Sequence, residues 1–150
     1  MRVWRFVGLV FFAAWLGACG AAWQAESPPP PLAPAQARLY FYRAATVYDP
    51  TVWTTVSLNG NVTGVSAPGT VFYRDVAPGT YMIEPRSDNL YPDQAKTVAV
   101  KAGSTTFVKV QPVPNWGRTG RQPGGNTFTV AIVDPAIGQY EIGNLRLTRG

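Results

Sequence analysis

The chain contains no histidine and only one cysteine, Cys19. Without histidine it lacks the side chain that most often serves as a general base near neutral pH and most often ligates metals. Ser-His-Asp and Cys-His nucleophile arrangements are excluded with it. The acidic residues are also few: Glu26, Asp49, Asp75, Glu84, Asp88, Asp93, Asp134 and Glu141, with no two closer than four positions. No Asp-x-Asp-x-Asp-Gly series occurs, so there is no calcium loop of the EF-hand kind. Asp49 and Asp134 each precede a proline, where aspartate serves turn geometry, and a glycosidase-type carboxylate pair would have to be assembled in space. Runs of lysine or arginine are missing too. The net charge of +5 includes Arg2 and Arg5, and the scattered excess elsewhere is no nucleic-acid footprint. The expectation is a protein that is not an enzyme, with no catalytic residue, no metal site, no cofactor and no nucleic-acid partner.

What is present begins with an asymmetric leader. Arg2 and Arg5 form a short positive segment, and Phe6 to Leu16 is almost wholly apolar. That run falls short of the ~20 residues a membrane span needs, and it suits the apolar helix of a secretory signal. Leu16-Gly17-Ala18-Cys19 follows, with small residues where a peptidase needs them. This tetrapeptide is similar to the lipobox of bacterial lipoproteins. The resemblance implies residues 1–18 as a lipoprotein signal peptide, cleavage between Ala18 and Cys19, and acylation of Cys19. Several acyl chains give stable anchoring where a single chain is marginal, each buried methylene contributing ~0.8 kcal/mol. An ordinary secretory leader with an incidental cysteine is the alternative. Gly20 stands where an aspartate resembles an inner-membrane retention signal, so the resemblance implies the outer membrane, periplasmic side, ahead of the inner membrane.

Residues 19–37 read as a tether. Pro28 to Pro31 and Pro34 remove backbone donors and fix φ, which excludes helix and central strand. A polyproline II spacer rising ~3.1 Å per residue would hold a domain ~50 Å from the bilayer. A disordered linker without a spacing role is the alternative.

From Arg38 to Gly150 the texture is that of a small all-β domain, an antiparallel β-sandwich of about seven or eight short strands. Arg38–Arg43 is the first, with Leu39 and Phe41 on one face and Tyr40 and Tyr42 on the other. Val52–Leu58 is the second, closed by Asn59-Gly60, which supplies the positive φ of a tight hairpin. A three-residue loop there sets Leu58 opposite Val62 and Val56 opposite Gly64; a two-residue loop sets Leu58 opposite Asn61. The first pairs apolar with apolar and is the expected register. Thr70–Val76 and Thr80–Pro85 flank Ala77-Pro78-Gly79 as a second hairpin, and Lys96–Val100 and Ser104–Val110 flank Lys101-Ala102-Gly103 as a third. Thr127–Val133 turns Phe128, Val130 and Ile132 inward, and Asp134-Pro135 opens a short helical turn ending near Gly143-Asn144.

The phrases "VSLNGNVTGV", "TVFYRDVAPGTYMIEP" and "TVAVKAGSTTFVKV" are similar to PEGA-like surface domains. The opening Ala37-Arg38-Leu39-Tyr40-Phe41-Tyr42-Arg43 resembles more closely a family of uncharacterised bacterial lipoproteins carrying a domain of unknown function, over roughly residues 37–145. That resemblance implies a β-sandwich on a lipid tether, with no activity and no functional residues to carry over.

Two candidate binding features remain. Tyr40 and Tyr42 place an aromatic pair on the second face of the first strand, a binding surface if exposed and a second core if buried. The loop from Pro112 to Asn126 carries Trp116, Arg118 and Arg121, which could meet an acidic or glycan partner; a mobile hairpin tip is the alternative. The functional expectation is a non-enzymatic, lipid-anchored envelope lipoprotein in the periplasm, contacting an envelope protein or peptidoglycan. The alternative is a glycan or small-ligand binding module using the aromatic face and the 112–126 loop.

Overall fold

The structure is a computed structural model that describes residues 27–46, 52–88, 92–113 and 127–149. Among the described residues nine strands and one helix follow in the order β1 (Ala37–Arg43), β2 (Thr54–Leu58), β3 (Asn61–Ser66), β4 (Thr70–Val76), β5 (Gly79–Pro85), β6 (Lys96–Val100), β7 (Thr105–Pro112), β8 (Phe128–Val133), α1 (Pro135–Ile142) and β9 (Arg146–Leu147). They form a five-stranded sheet in the order β8-β7-β1-β4-β9 and a four-stranded sheet in the order β3-β2-β5-β6. The described residues therefore form an all-β sandwich with one short helix.

Alternation along the strands decides what lies between the sheets. Leu39, Phe41, Phe72, Val108, Val110, Phe128 and Val130 from the larger sheet meet Val56, Leu58, Ile83 and Val100 from the smaller. Phe41 and Phe72 stack at 4.9 Å with their planes 17° apart. Full burial of each such side chain contributes about 1.5–3 kcal/mol. Ile132, expected inward with Phe128 and Val130, is 42% exposed; it lies near the end of β8, an edge strand with a neighbour on one side only.

Two of the three expected hairpins are crossings between sheets. β4 and β5 lie in different sheets, as do β6 and β7, so Ala77-Pro78 and Lys101-Ala102-Gly103 are arches that carry the chain from one layer to the other. The true neighbouring pairs are β2 with β3, β5 with β6, and β7 with β8, all antiparallel. A further consequence is mixed pairing. β1 runs antiparallel to β4 and parallel to β7, and β4 runs parallel to β9. β1 and β7 start side by side at one end of the sandwich, where the Arg38 amide donates to the Ser104 carbonyl at 2.9 Å and the Gly103 amide to that of Gln36 at 2.8 Å.

The β2–β3 turn resolves the register question. Asn59 (φ 49°) and Gly60 (φ 80°) form a two-residue loop, which matches strand twist and sets Leu58 opposite Asn61, not Val62. A bulge then follows: Ser57 pairs with Val62 and Val56 with Gly64, leaving Thr63 as the extra residue. The expected Val56–Gly64 pair is thus present, reached by a different route. The bulge also lies on an edge strand, where it blunts edge-to-edge pairing.

At the opposite end from Ala37, the roots of the three longest connections (44–53, 86–95 and 113–127) are tied together. Arg43 is fully buried, lies 4.8 Å over the Phe128 ring and donates to the Val52 carbonyl at 2.8 Å. The Thr54 hydroxyl donates to the Arg86 carbonyl at 2.6 Å. The Ser87 hydroxyl accepts from the Phe128 amide at 2.8 Å and donates to its carbonyl at 3.2 Å. Val113 closes on Thr127 at 2.9 Å.

Candidate functional site

The outer face of the five-stranded sheet carries Arg38, Tyr40 and Tyr42 from β1, because these alternate with the inward Leu39 and Phe41. Antiparallel register sets Asp75 opposite Arg38 and Tyr73 opposite Tyr40. Parallel register sets Phe107 beside Tyr40 and Lys109 beside Tyr42. The result is a row of side chains crossing three strands.

One half of this face is covered. Tyr42 is fully buried, with Val71 and Phe107, under Ile142, Leu145 and Leu147. The helix is started by Asp134, whose carboxylate accepts from the Ala136 amide at 2.9 Å, and by Pro135 at its first position. It approaches so closely that Gly138 lies directly on Phe107. Its last turn delivers Glu141 to the sheet. Glu141 accepts a hydrogen bond from the Tyr42 hydroxyl and another from Lys109 Nζ at 2.6 Å. The Lys109 bond, and then the Tyr42 bond, hold the Glu141 carboxyl below its ordinary value of 4.5. Burial, helped by the same carboxylate, pushes the Tyr42 phenol well above its ordinary range.

Because the folded value for Glu141 lies below the unfolded one, its contribution to stability is complete above pH ~4.5 and is lost as pH falls through the folded value. Urea unfolding of the full chain between about pH 3 and pH 6 is expected to show this loss. Glu141→Gln is expected to remove that part of the acid dependence; an unchanged profile would place the acid sensitivity elsewhere.

The other half of the face is more open. Arg38 and Asp75 form a two-pronged ion pair, Nε to Oδ1 and Nη2 to Oδ2, both 2.7 Å. That hydrogen bond raises the already high Arg38 value further. The guanidinium lies 4.5 Å over the Tyr73 ring. Tyr73 is tilted against Tyr40 at 6.0 Å, and Tyr40 stacks on Phe107 at 5.4 Å with planes 9° apart. Beside Tyr73, at the edge of β4, a depression of about 280 Å³ is lined by Tyr73, Arg74, Asp75, Thr148 and Arg149.

Sequence alone therefore placed Tyr40 and Tyr42 together correctly, but Tyr42 cannot present an exposed surface because α1 and the segment after it cover it. Trp116, Arg118 and Arg121 lie outside the described residues, as do Ala18 and Cys19. Tyr73 and Asp75 were missed, although a register joining β1 to β4 brings them beside Tyr40 and Arg38. Thr148 and Arg149 gave no sequence signal. Among the described residues no group of three or more acidic or sulfur ligands could hold a metal ion.

Fold and face together define a small β-sandwich domain with one helix-covered aromatic face. A family model described as a protein of unknown function, DUF2846, matches residues 34–116, and the chain belongs to that family. The match runs from just before β1 to just beyond β7, leaving β8, α1 and β9 outside it. No curated protein and no solved structure matches the chain.

Proposed function

We propose that this protein is a non-enzymatic, lipid-anchored lipoprotein of the bacterial envelope, held by acyl chains on Cys19 to the periplasmic side of the outer membrane. The sandwich is its interaction module toward an envelope protein or peptidoglycan. The observation that carries this reading is Leu16-Gly17-Ala18-Cys19 placed directly behind a basic segment and a short apolar run. The resemblance to lipoproteins and to PEGA-like surface domains supports it.

The fold is well suited to such an arrangement. The proline-rich segment enters the domain at Ala37, while the three longest connections are rooted at the other end. A domain suspended from Cys19 would turn that end of the sandwich away from the bilayer.

Intact-mass measurement of the mature protein tests the anchor. The expected product starts at Cys19 and carries acyl chains, and Cys19→Ser is expected to accumulate as an uncut, unacylated precursor. An unmodified thiol, or wild-type processing of the variant, would overturn the reading. Co-sedimentation with purified peptidoglycan and capture from envelope extract test the interaction role; binding to neither would remove it.

A further inference from the structure

We infer that the uncovered face of the four-stranded sheet is a glycan-binding site, where the Trp53 indole stacks on a pyranose ring and Ser57, Glu84 and Arg86 bond its hydroxyl groups. The inference rests on the reading of the sandwich as an interaction module and is independent of the lipid anchor.

Register builds the face. Val56, Leu58 and Ile83 point into the core, so Thr55, Ser57 and Glu84, which alternate with them, point the other way. Ser57 lies between Val62 and Glu84, and Thr55 beside Val65. The Arg86 amide donates to the Thr55 carbonyl at 2.8 Å, which extends the β2–β5 pairing and sets Arg86 next to Thr55. Buried Thr54 separates Thr55 from Trp53, so the same alternation turns the indole outward, and it is 74% exposed. The segment around Tyr42 and α1 covers the other sheet, and among the described residues no helix or strand lies over this one.

Trp53 is held ready for a ligand. On one side of it the Val52 carbonyl accepts from buried Arg43 at 2.8 Å, and on the other the Thr54 hydroxyl donates to the Arg86 carbonyl at 2.6 Å. The backbone flanking Trp53, and that of Arg86, is thus fixed in advance, which lowers the ordering cost of binding. Tryptophan is highly buried on average in folded proteins. Here its broad apolar ring is open to water beside hydroxyl and charged groups.

Charge and polarity select the ligand. Glu84 and Arg86 stand two residues apart with opposite charge, so this stretch has no excess of either sign. A neutral ligand complements it, whereas nucleic acid and anionic bilayers call for a positive surface. An apolar protein surface would strip water from both charges at a cost. A sugar ring satisfies every group, because its apolar C–H face covers the indole while its hydroxyls donate to Glu84 and accept from Arg86. A flat sheet face has no end walls, so the ligand is a chain of sugar units.

Titration of the full chain with chitotetraose, followed by NMR, tests the site. The expected result is a saturable shift of the Trp53 indole N–H and of the Ser57, Glu84 and Arg86 amides. Trp53→Ala is expected to weaken binding at least tenfold with the urea midpoint unchanged. Tyr140→Ala, which removes another exposed aromatic ring, is expected to leave binding as it was. Equal weakening by both variants, or shifts without saturation, would overturn the site. Cellotetraose has the same rings without acetamido groups; weaker binding of it identifies an N-acetylated glycan, and equal binding identifies the ring alone as what is recognised. Binding of neither overturns the proposal. Peptidoglycan that pellets wild type and Trp53→Ala alike would also overturn it, while leaving the interaction role of the sandwich in place.

Discussion

Gly64→Val is expected to destabilise the protein by about 3 kcal/mol, at the upper end of what overpacking costs. The reason lies in how the two sheets meet. Gly64 is buried on β3, and a Cβ there would overlap the ring of Phe72, with Cζ only 2.7 Å away. Phe72 is itself fully buried and stacked on Phe41, so the ring has nowhere to swing. β3 cannot slide instead, because the Asn59-Gly60 turn and the bulge at Thr63 fix its register against β2. Phe72→Leu alone leaves a cavity and is expected to cost about 1–3 kcal/mol. Together the two changes are expected to cost less than their sum by at least about 1 kcal/mol, since the smaller side chain makes room for the larger one. Urea denaturation of the four proteins measures this coupling, and strict additivity would show that Phe72 is not what Gly64 accommodates.

The second large effect is expected at Gly138, and it should be local. Gly138→Leu places its Cβ against Phe107 Cδ1, within 2.8 Å, and against the ring's point of attachment. Atoms so near the backbone of β7 cannot turn aside, so the helix must lift. Lifting α1 draws Glu141 away from Lys109 and Tyr42 and uncovers Tyr42 and Phe107. The interlayer core contains no residue of α1, and it is expected to stay folded. A loss of about 2 kcal/mol is anticipated, with hydrogen exchange accelerating in α1 and beside Tyr42 well before the interlayer strands. Ile137→Ala is the control: its side chain is 55% exposed and the change is expected to cost under about 0.5 kcal/mol. Equal protection of α1 in wild type and Gly138→Leu would contradict the docking described.

These two glycines also show how far the sequence could be read. Strand positions were legible because inward and outward residues alternate, as in Leu39/Phe41 against Tyr40/Tyr42. Asn59-Gly60 and Asp134-Pro135 were legible because positive φ and helix initiation demand particular residues. What could not be read was the partner of each strand. The turn at Ala77-Pro78 has the same local chemistry as a hairpin, and only the second layer decides that it crosses between sheets. Alternation likewise could not reveal the cover on Tyr42. Helix α1 turns Gly138 toward the sheet and leaves Ile137 and Tyr140 outside, at 55% and 80% exposure. That inverts the usual rule that a helix buries its large apolar residues. The depression beside Tyr73 was hidden for a related reason, since Arg74 and Arg149 come together only when the chain after β9 runs along β4.

The position of β1 has a consequence for how the domain comes into being. It is the first strand made, yet both of its neighbours come later, β4 first and then β7, beginning at Thr105. A chain growing from its amino end must therefore leave one edge of β1 open until most of the domain exists. Such distant pairing slows folding. A fragment ending before Thr105 can pair β1 on its β4 edge alone and leaves the edge toward β7 open, and only the nearly complete chain can satisfy both.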